Sequence, residues 1–373
     1  MNQAHSSADP ISPETIELAI SILQGRLLGK QANLPLPAQV DHEELIRFGS
    51  QQRISQALAG GVRNMKHEGP FGAGVELLLS AFETDGAKQN KVYRTTLLNL
   101  AKRLNEAGIP MVALKGAAFL VEEKDPASWR SISDIDVLVS EAHVHRAGEA
   151  LASAGYQFLL PEDGYRIEDH HHFRPMQDPV TGTAVEVHTR FVWNRADDPT
   201  NPEEIIARSS VKIVDGVEVR IPCPEHRIAH LIVHAQIGDR RFVARRIELK
   251  DILDLAIIAN HYQVDWLEVE ALFDRVGQRK HFLGFMASAA GILGQALPTL
   301  PLDLGPGQAW ANAAQQSLAN PNIGSFLMSI EILKEYISRI ALRRDGLKLM
   351  FQTLADTDRL RILLMTQFRK LRK

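Results

Sequence analysis

Apolar residues recur at helical spacing from the start of the chain. Ile16, Leu18, Ile20, Ile22, Leu23 and Leu27 predict a helix over about 12–30, opened by Ser12 and stopped by Pro35 and Pro37. A second helix is expected over roughly 41–65, and Val75 to Phe82 opens another, with Gly69-Pro-Phe-Gly-Ala-Gly74 between them read as a linker. The pattern changes after Lys88. A helix over 90–106 stops at Ala107-Gly108-Ile109-Pro110, and the short run Met111 to Leu114 suits a buried strand. Gly116 and a short helix through Phe119 follow, then a strand over 132–139 and a helix over 143–154. Two runs, 171–176 and 183–191, flank a turn at Asp178 to Gly182 and predict a hairpin. Asp215-Gly216 between 211–214 and 217–221 predicts a second, tighter one. From Pro224 onward the period is helical, with helices expected over 225–237, 240–260, 265–276, 279–296, 307–316, 322–343 and 345–370.

This order predicts an α+β fold: a helical region over 1–87, a compact α+β unit with a mixed β-sheet over 88–222, and a helical domain over 223–373. Composition leaves that picture in place. At 45% hydrophobic and 23% charged residues, with a mean hydropathy of -0.13, the chain reads as a globular protein. A net charge of -3 gives no reason to expect nucleic acid as a partner. The single cysteine, Cys223, excludes an internal disulfide and fits a reducing compartment. The polar first ten residues are expected to be disordered and lack the pattern of a signal peptide, and no apolar run is long enough for a bilayer, so a cytoplasmic location is expected.

The chemistry concentrates in Ser133-Asp134-Ile135-Asp136-Val137-Leu138-Val139. On a strand, alternate side chains share a face, so Asp134 and Asp136 point the same way with α-carbons about 6–7 Å apart. Two such carboxylates repel unless a cation lies between them, and hard ions such as Mg²⁺ favour carboxylate and phosphate oxygens. Glu186 interrupts the apolar strand Val185-Glu-Val187 and is the expected third acid of a site for Mg²⁺ or Mn²⁺. Pairing of these acids with Arg130 and Arg190 is the plainer alternative. Lys115 can neutralise a triphosphate, and Gly116, where strand meets helix, can present backbone N–H groups to a phosphate. Arg130, Ser131 and Ser133 lead into the strand and complete the expected nucleotide contacts, although Arg130 can equally pair with Asp134. His188, on the same face as Glu186, is expected to bind substrate, move a proton or serve structure.

Leu114-Lys-Gly116, Arg130, Ser133 to Val139 and Val185-Glu-Val-His188 together resemble a bacterial family, the uncharacterised nucleotidyltransferases, within the DNA polymerase beta-like superfamily. The likeness extends to Cys223-Pro-Glu-His226, Lys250-Asp-Ile-Leu-Asp254, Asp265-Trp266 and Leu297-Pro298, and spans roughly 45–300. It implies a nucleotidyltransferase-like sheet in which Asp134 and Asp136 are paired metal ligands and Glu186 the third acid. It also implies an NTP substrate (ATP or GTP) and a hydroxyl acceptor on a peptide, protein, sugar or small molecule. Ala117 stands where the superfamily usually has a second glycine or a serine, and the spacing from Gly116 to Asp134 is long.

Phosphoryl transfer at the same site, and a non-catalytic protein retaining the fold, are the alternatives. His170 to His172 read as loop-edge residues, with one of them able to approach the mouth of the site, and His230 with His234 as a partly buried helical pair. Asp251 and Asp254 are expected to pair with Arg245, Arg246 or Lys250, or else to help form an acceptor pocket. The tail over 341–373 carries nine Lys/Arg against three Asp, and predicts a terminal helix packed on its own domain, with contact to an anionic membrane surface as the alternative.

Overall fold

The computed structural model describes residues 10–29, 41–63, 72–122, 129–161, 165 and 170–320. The helices expected over 322–343 and 345–370, and with them the basic tail, lie outside the described residues.

Helix α1 (Pro13–Leu27) starts as its sequence dictates: the Ser12 hydroxyl accepts from the Thr15 N–H, and Pro13 occupies a position where no N–H is missed. The single helix expected over 41–65 is two. Asp41 caps α2 (His42–Gln51), and α3 (Ser55–Arg63) follows. Between them Arg53 takes the left-handed conformation at φ 55°, a local reversal that apolar spacing does not register. The opposite correction applies to α4 (Gly72–Glu106), one continuous helix where two were expected, with Gly72 to Gly74 in its first turn rather than in a linker.

Strands β1 (Val112–Ala113), β2 (Ile135–Leu138), β3 (Gln157–Phe158), β4 (Met176–Gln177), β5 (Ala184–His188), β6 (Ser210–Val214) and β7 (Val217–Ile221) form one mixed sheet in the order β3-β4-β5-β2-β1-β7-β6. Central β2 runs parallel to β5 and antiparallel to β1, and β1 runs parallel to β7. The β6–β7 turn forms as expected, with Asp215 and Gly216 both at positive φ, 52° and 80°. The first hairpin is shorter than its sequence suggests: only Met176 and Gln177 pair with β5, joined further along by one bridge between His172 and His188.

Around the sheet, α4 packs on β2 and β7, while α5 (Lys115–Phe119) connects β2 to α8 (Pro224–Ile232). Helix α6 (Val144–Ser153) lies on β5, and α7 (Pro202–Ala207) precedes β6. The helix expected over 240–260 breaks at Arg245, φ 48°, into α9 (Arg241–Ala244) and α10 (Leu249–His261). After α11 (Trp266–Arg275), α12 (Arg279–Leu293) and α13 (Gln308–Ala319), the chain returns to its beginning: α1 touches α10, α12 and α13, and the Ile11 N–H donates to the Ala319 carbonyl at 3.1 Å. The two helical flanks therefore meet, and the apolar core runs continuously from α1 through the sheet to α13. Among the described residues no helix is long and apolar enough to cross a membrane.

Candidate active site

All four residues of β2 are buried, so a carboxylate in its middle needs partners. The register supplies them. Parallel pairing places Ile135 opposite Val185, Asp136 opposite Glu186 and Leu138 opposite His188. Residues in register on neighbouring strands point to the same face about 4.8 Å apart. Val185 and Val187 go into the core, while Glu186 stays on the side of Asp136. One oxygen each of Asp136 and Glu186 and one ring nitrogen of His188 lie within 4.8 Å of one another. Asp134 and Asp136 thus share a strand, but the tight cluster consists of Asp136, Glu186 and His188.

His188 Nε2 is 2.6 Å from Asp136 Oδ1 and 3.5 Å from Glu186 Oε2. Lys115 Nζ donates to the same Asp136 oxygen at 3.2 Å. To do so Lys115 takes φ 44°, left-handed for a residue with a side chain, a conformation that costs about 1–2 kcal/mol outside glycine. Burial alone favours the neutral form of each of these groups, yet the cluster reverses it. Lys115 beside Asp136, and the hydrogen bond from His188, hold the Asp136 carboxyl well below the usual carboxylate range. Hydrogen bonds to Asp136 and Glu186 raise His188 above an ordinary histidine despite its desolvation. The same His188 contact outweighs burial at Glu186 and lowers it. In the cluster the shifts of both carboxylates, of His188 and of Lys115 all favour the charged forms.

Asp134, half-buried beside this cluster, moves the other way: burial and the Asp136 charge raise it, against Lys115. Ser133 Oγ donates to Asp134 Oδ1 at 3.1 Å, and the Tyr93 hydroxyl donates to the Ser133 carbonyl at 3.3 Å. Ser131 is exposed. Arg130, expected to contact phosphates or Asp134, is instead buried with Asp254 of α10, its Nε 2.9 Å from both carboxylate oxygens. Gly116 is buried, and what its missing side chain makes room for is Arg130: a Cβ there would lie 2.2 Å from Nη1. The Arg130–Asp254 pair has no signal in the sequence, because the two residues are 124 positions apart.

The histidine run, one of whose residues was expected to be able to approach the mouth of the site, brings two close to it. The His171 and His172 rings lie 5.2 Å and 5.6 Å from that of His188. The Tyr165 hydroxyl donates to the His172 carbonyl at 2.8 Å. Burial, with His188 and His172 beside it, lowers His171 to about 2, so it is neutral. Only the bridge from His172 to His188 brings these rings inward, a cross-strand relation that a stretch of His-His-His cannot reveal. Asp251 pairs with Lys250 at 2.8 Å and with Arg241; Arg245 and Arg246 do not fill the expected role.

The fold thus presents a mixed sheet with acids in register on adjacent parallel strands, enclosed by helices from the N- and C-terminal flanks. The chain belongs to the uncharacterised nucleotidyltransferase family, whose model matches residues 38–294, and is by that membership a transferase of nucleotidyl groups. None of the curated proteins matches it. Among solved structures it is similar to an antigenic nucleotidyltransferase-like protein from Paracoccidioides brasiliensis, at 19% identity and a TM-score of 0.33, over 54% of this chain and 93% of that one.

Proposed function

We propose that the α+β unit over 88–222 is a catalytic domain that moves a nucleotidyl group from an NTP, ATP or GTP, to a hydroxyl acceptor with the help of Mg²⁺ or Mn²⁺. The observation that carries this reading is the register of Asp136 and Glu186 on parallel β2 and β5, with His188 between their oxygens. The donor set fits a hard divalent ion: two carboxylates whose charge is already compensated by cations, with Asp134 as a third acid beside them. Asp134, Asp136 and Glu186 are the residues that would hold it. A bound ion would neutralise charge on the phosphates and favour in-line displacement.

The chain's own groups do the rest. Lys115 places an ammonium at the carboxylate cluster, where triphosphate oxygens must also come. Ser131 and Ser133, exposed at the entrance to β2, offer hydroxyls to the nucleotide, and the turn at Gly116 keeps that strand end close to β2. His188, within reach of both Asp136 and Glu186, holds the two carboxylates in place, and despite its burial the hydrogen bonds to them favour its protonated form. Arg130, bonded through Nε to Asp254, packs against Gly116 from behind.

Calorimetric titration of ATP, GTP, CTP and UTP with Mg²⁺ or Mn²⁺ tests the reading on wild type and on Asp134→Asn/Asp136→Asn. Metal-dependent binding that the double variant loses is the expected result. Triphosphate labelled at the α- or the γ-phosphorus then identifies the group transferred, and label moving only from the γ-position overturns the nucleotidyl reading in favour of phosphoryl transfer. Absence of binding of all four triphosphates to the folded wild type removes the enzyme reading altogether.

A further inference from the structure

Behind Lys115, between the sheet and the C-terminal helices, lies a cleft open to solvent with about 50 Å³ of space inside it, room for the hydroxyl-bearing edge of a small molecule. It shares Lys115 with the carboxylate site and is closed on its far side by α8 and α10. Its floor is partly apolar, with Leu114, Leu231 and Ile258. Its charges come in pairs: Arg130 with Asp254, Lys250 with Asp251 at 2.8 Å, Lys115 with Asp136, and Arg227 with Glu122. An anionic ligand would compete for cations already held by buried carboxylates and leave those acids uncompensated. A cationic ligand would strand the buried bases in the same way. A neutral ligand does neither, and the paired carboxylates keep lone pairs that accept from hydroxyl groups.

Two polar atoms of the wall residues lack a hydrogen-bond partner among the described residues: Arg227 Nη2, whose guanidinium lies over the Phe119 and Tyr262 rings, and His230 Nε2. His230 on α8 is 2% exposed, its ring stacked on Phe191 with centroids 3.9 Å apart, and among the described residues its Nε2 has no hydrogen-bond partner. Burial, then the charges of Lys115 and His188, keep it neutral. A desolvated ring nitrogen left alone on a cavity wall calls for a ligand to complete it.

We propose that this cleft is the acceptor site and that it takes an uncharged polyhydroxyl compound, one hydroxyl of which hydrogen-bonds His230 Nε2. The assignment rests on the transferase reading and names its acceptor. In the transfer, the acceptor oxygen forms a bond to the α-phosphorus of the NTP. The bond from that phosphorus to the bridging oxygen breaks, and pyrophosphate leaves with the electron pair. The hydroxyl proton passes through a carboxylate of the site to water.

Three relatives of one skeleton make the test: N-acetylglucosamine (neutral), glucosamine (cationic) and glucose 6-phosphate (anionic), joined by glucose and myo-inositol as further neutral polyols. Pyrophosphate release from ATP by the full chain with Mg²⁺ is measured with each. A neutral member should raise release at least tenfold over no acceptor, and the charged members should not. His230→Leu should lower kcat/KM for that polyol at least tenfold, His230→Gln should recover part of it, and the Kd for ATP should stay within twofold. Leu231→Trp, which narrows the cleft from a half-exposed position, should act like His230→Leu and covers the case in which that variant does not fold. Stimulation by the charged members alone overturns the assignment. So does ATP binding with no response to any neutral polyol, or a loss of ATP affinity equal to the loss for the polyol. No ATP binding by wild type identifies a failure of the transferase reading itself.

Discussion

His188 Nε2 reaches Asp136 Oδ1 at 2.6 Å from the strand that also carries Glu186, so one imidazole ties two facing carboxylates together. The pair has opposite shifts, His188 raised and Asp136 depressed. A raised histidine contributes stability that is fully present below its unfolded value of about 6.5 and is lost as pH rises through its folded value. A depressed aspartate contributes stability present above its unfolded value of about 3.9 and lost as pH falls through its folded value. The two together predict a melting temperature highest between those limits, with an alkaline decline above the ordinary histidine range. His188→Gln should flatten that alkaline decline and also soften the acidic one, since Lys115 is then the main group depressing Asp136; superimposable profiles would show that the imidazole carries no proton.

Glu186 is the most exposed member of the cluster, with its side chain 30% accessible against 4% for Asp136. It is therefore the acid whose removal should cost function rather than folding. Glu186→Gln keeps the shape and removes the charge. Metal-ion charge stabilisation is worth several kcal/mol, so transfer should fall about 100-fold or more. The melting temperature should stay near that of wild type. Calorimetry with Mg²⁺ and ATP checks the binding part, and retention of full metal-dependent affinity would remove Glu186 from the ligand set.

That Glu186 faces away from the core is legible in the sequence because strand alternation is local: an acid between Val185 and Val187 must face away from the core they enter. The Asp215-Gly216 turn is legible for the same reason, since both residues tolerate positive φ. What local pattern cannot carry is register and long-range pairing. His172 meets His188 through a single bridge, and Arg130 finds Asp254 across 124 positions. The reversals at Arg53 and Arg245 each turn on one left-handed residue of a type that rarely adopts it, so apolar spacing reads through them. Conversely, the glycines at the start of α4 suggest a loop where the helix has already begun.

Lys115 separates conformation from charge. At φ 44° it sits in a region that glycine enters freely. Lys115→Gly and Lys115→Ala both remove the ammonium beside Asp136, and both should weaken triphosphate binding by similar factors in calorimetry. Their stabilities should differ: glycine relieves the left-handed strain, so Lys115→Gly should be the more stable by about 1 kcal/mol in urea unfolding. Equal stabilities would mean that the backbone relaxes around alanine without cost.

The Arg130–Asp254 pair joins the segment leading into β2 to α10, with side chains only 8% and 4% accessible. Breaking one half of a buried pair leaves an uncompensated charge, and Asp254→Ala should cost about 3–5 kcal/mol in urea unfolding. Arg130→Met/Asp254→Leu, which removes both charges and keeps volume, should recover most of that loss. Gly116→Ala attacks the same pair by sterics, since its new methyl would lie 2.2 Å from Arg130 Nη1. An overpacking cost of about 1–3 kcal/mol is expected. In the Arg130→Met/Asp254→Leu background the guanidinium is gone and the flexible methionine can move aside, so the same substitution should cost clearly less. An undiminished cost there would mean that Gly116 is required by the backbone of the turn and not by the arginine packed against it.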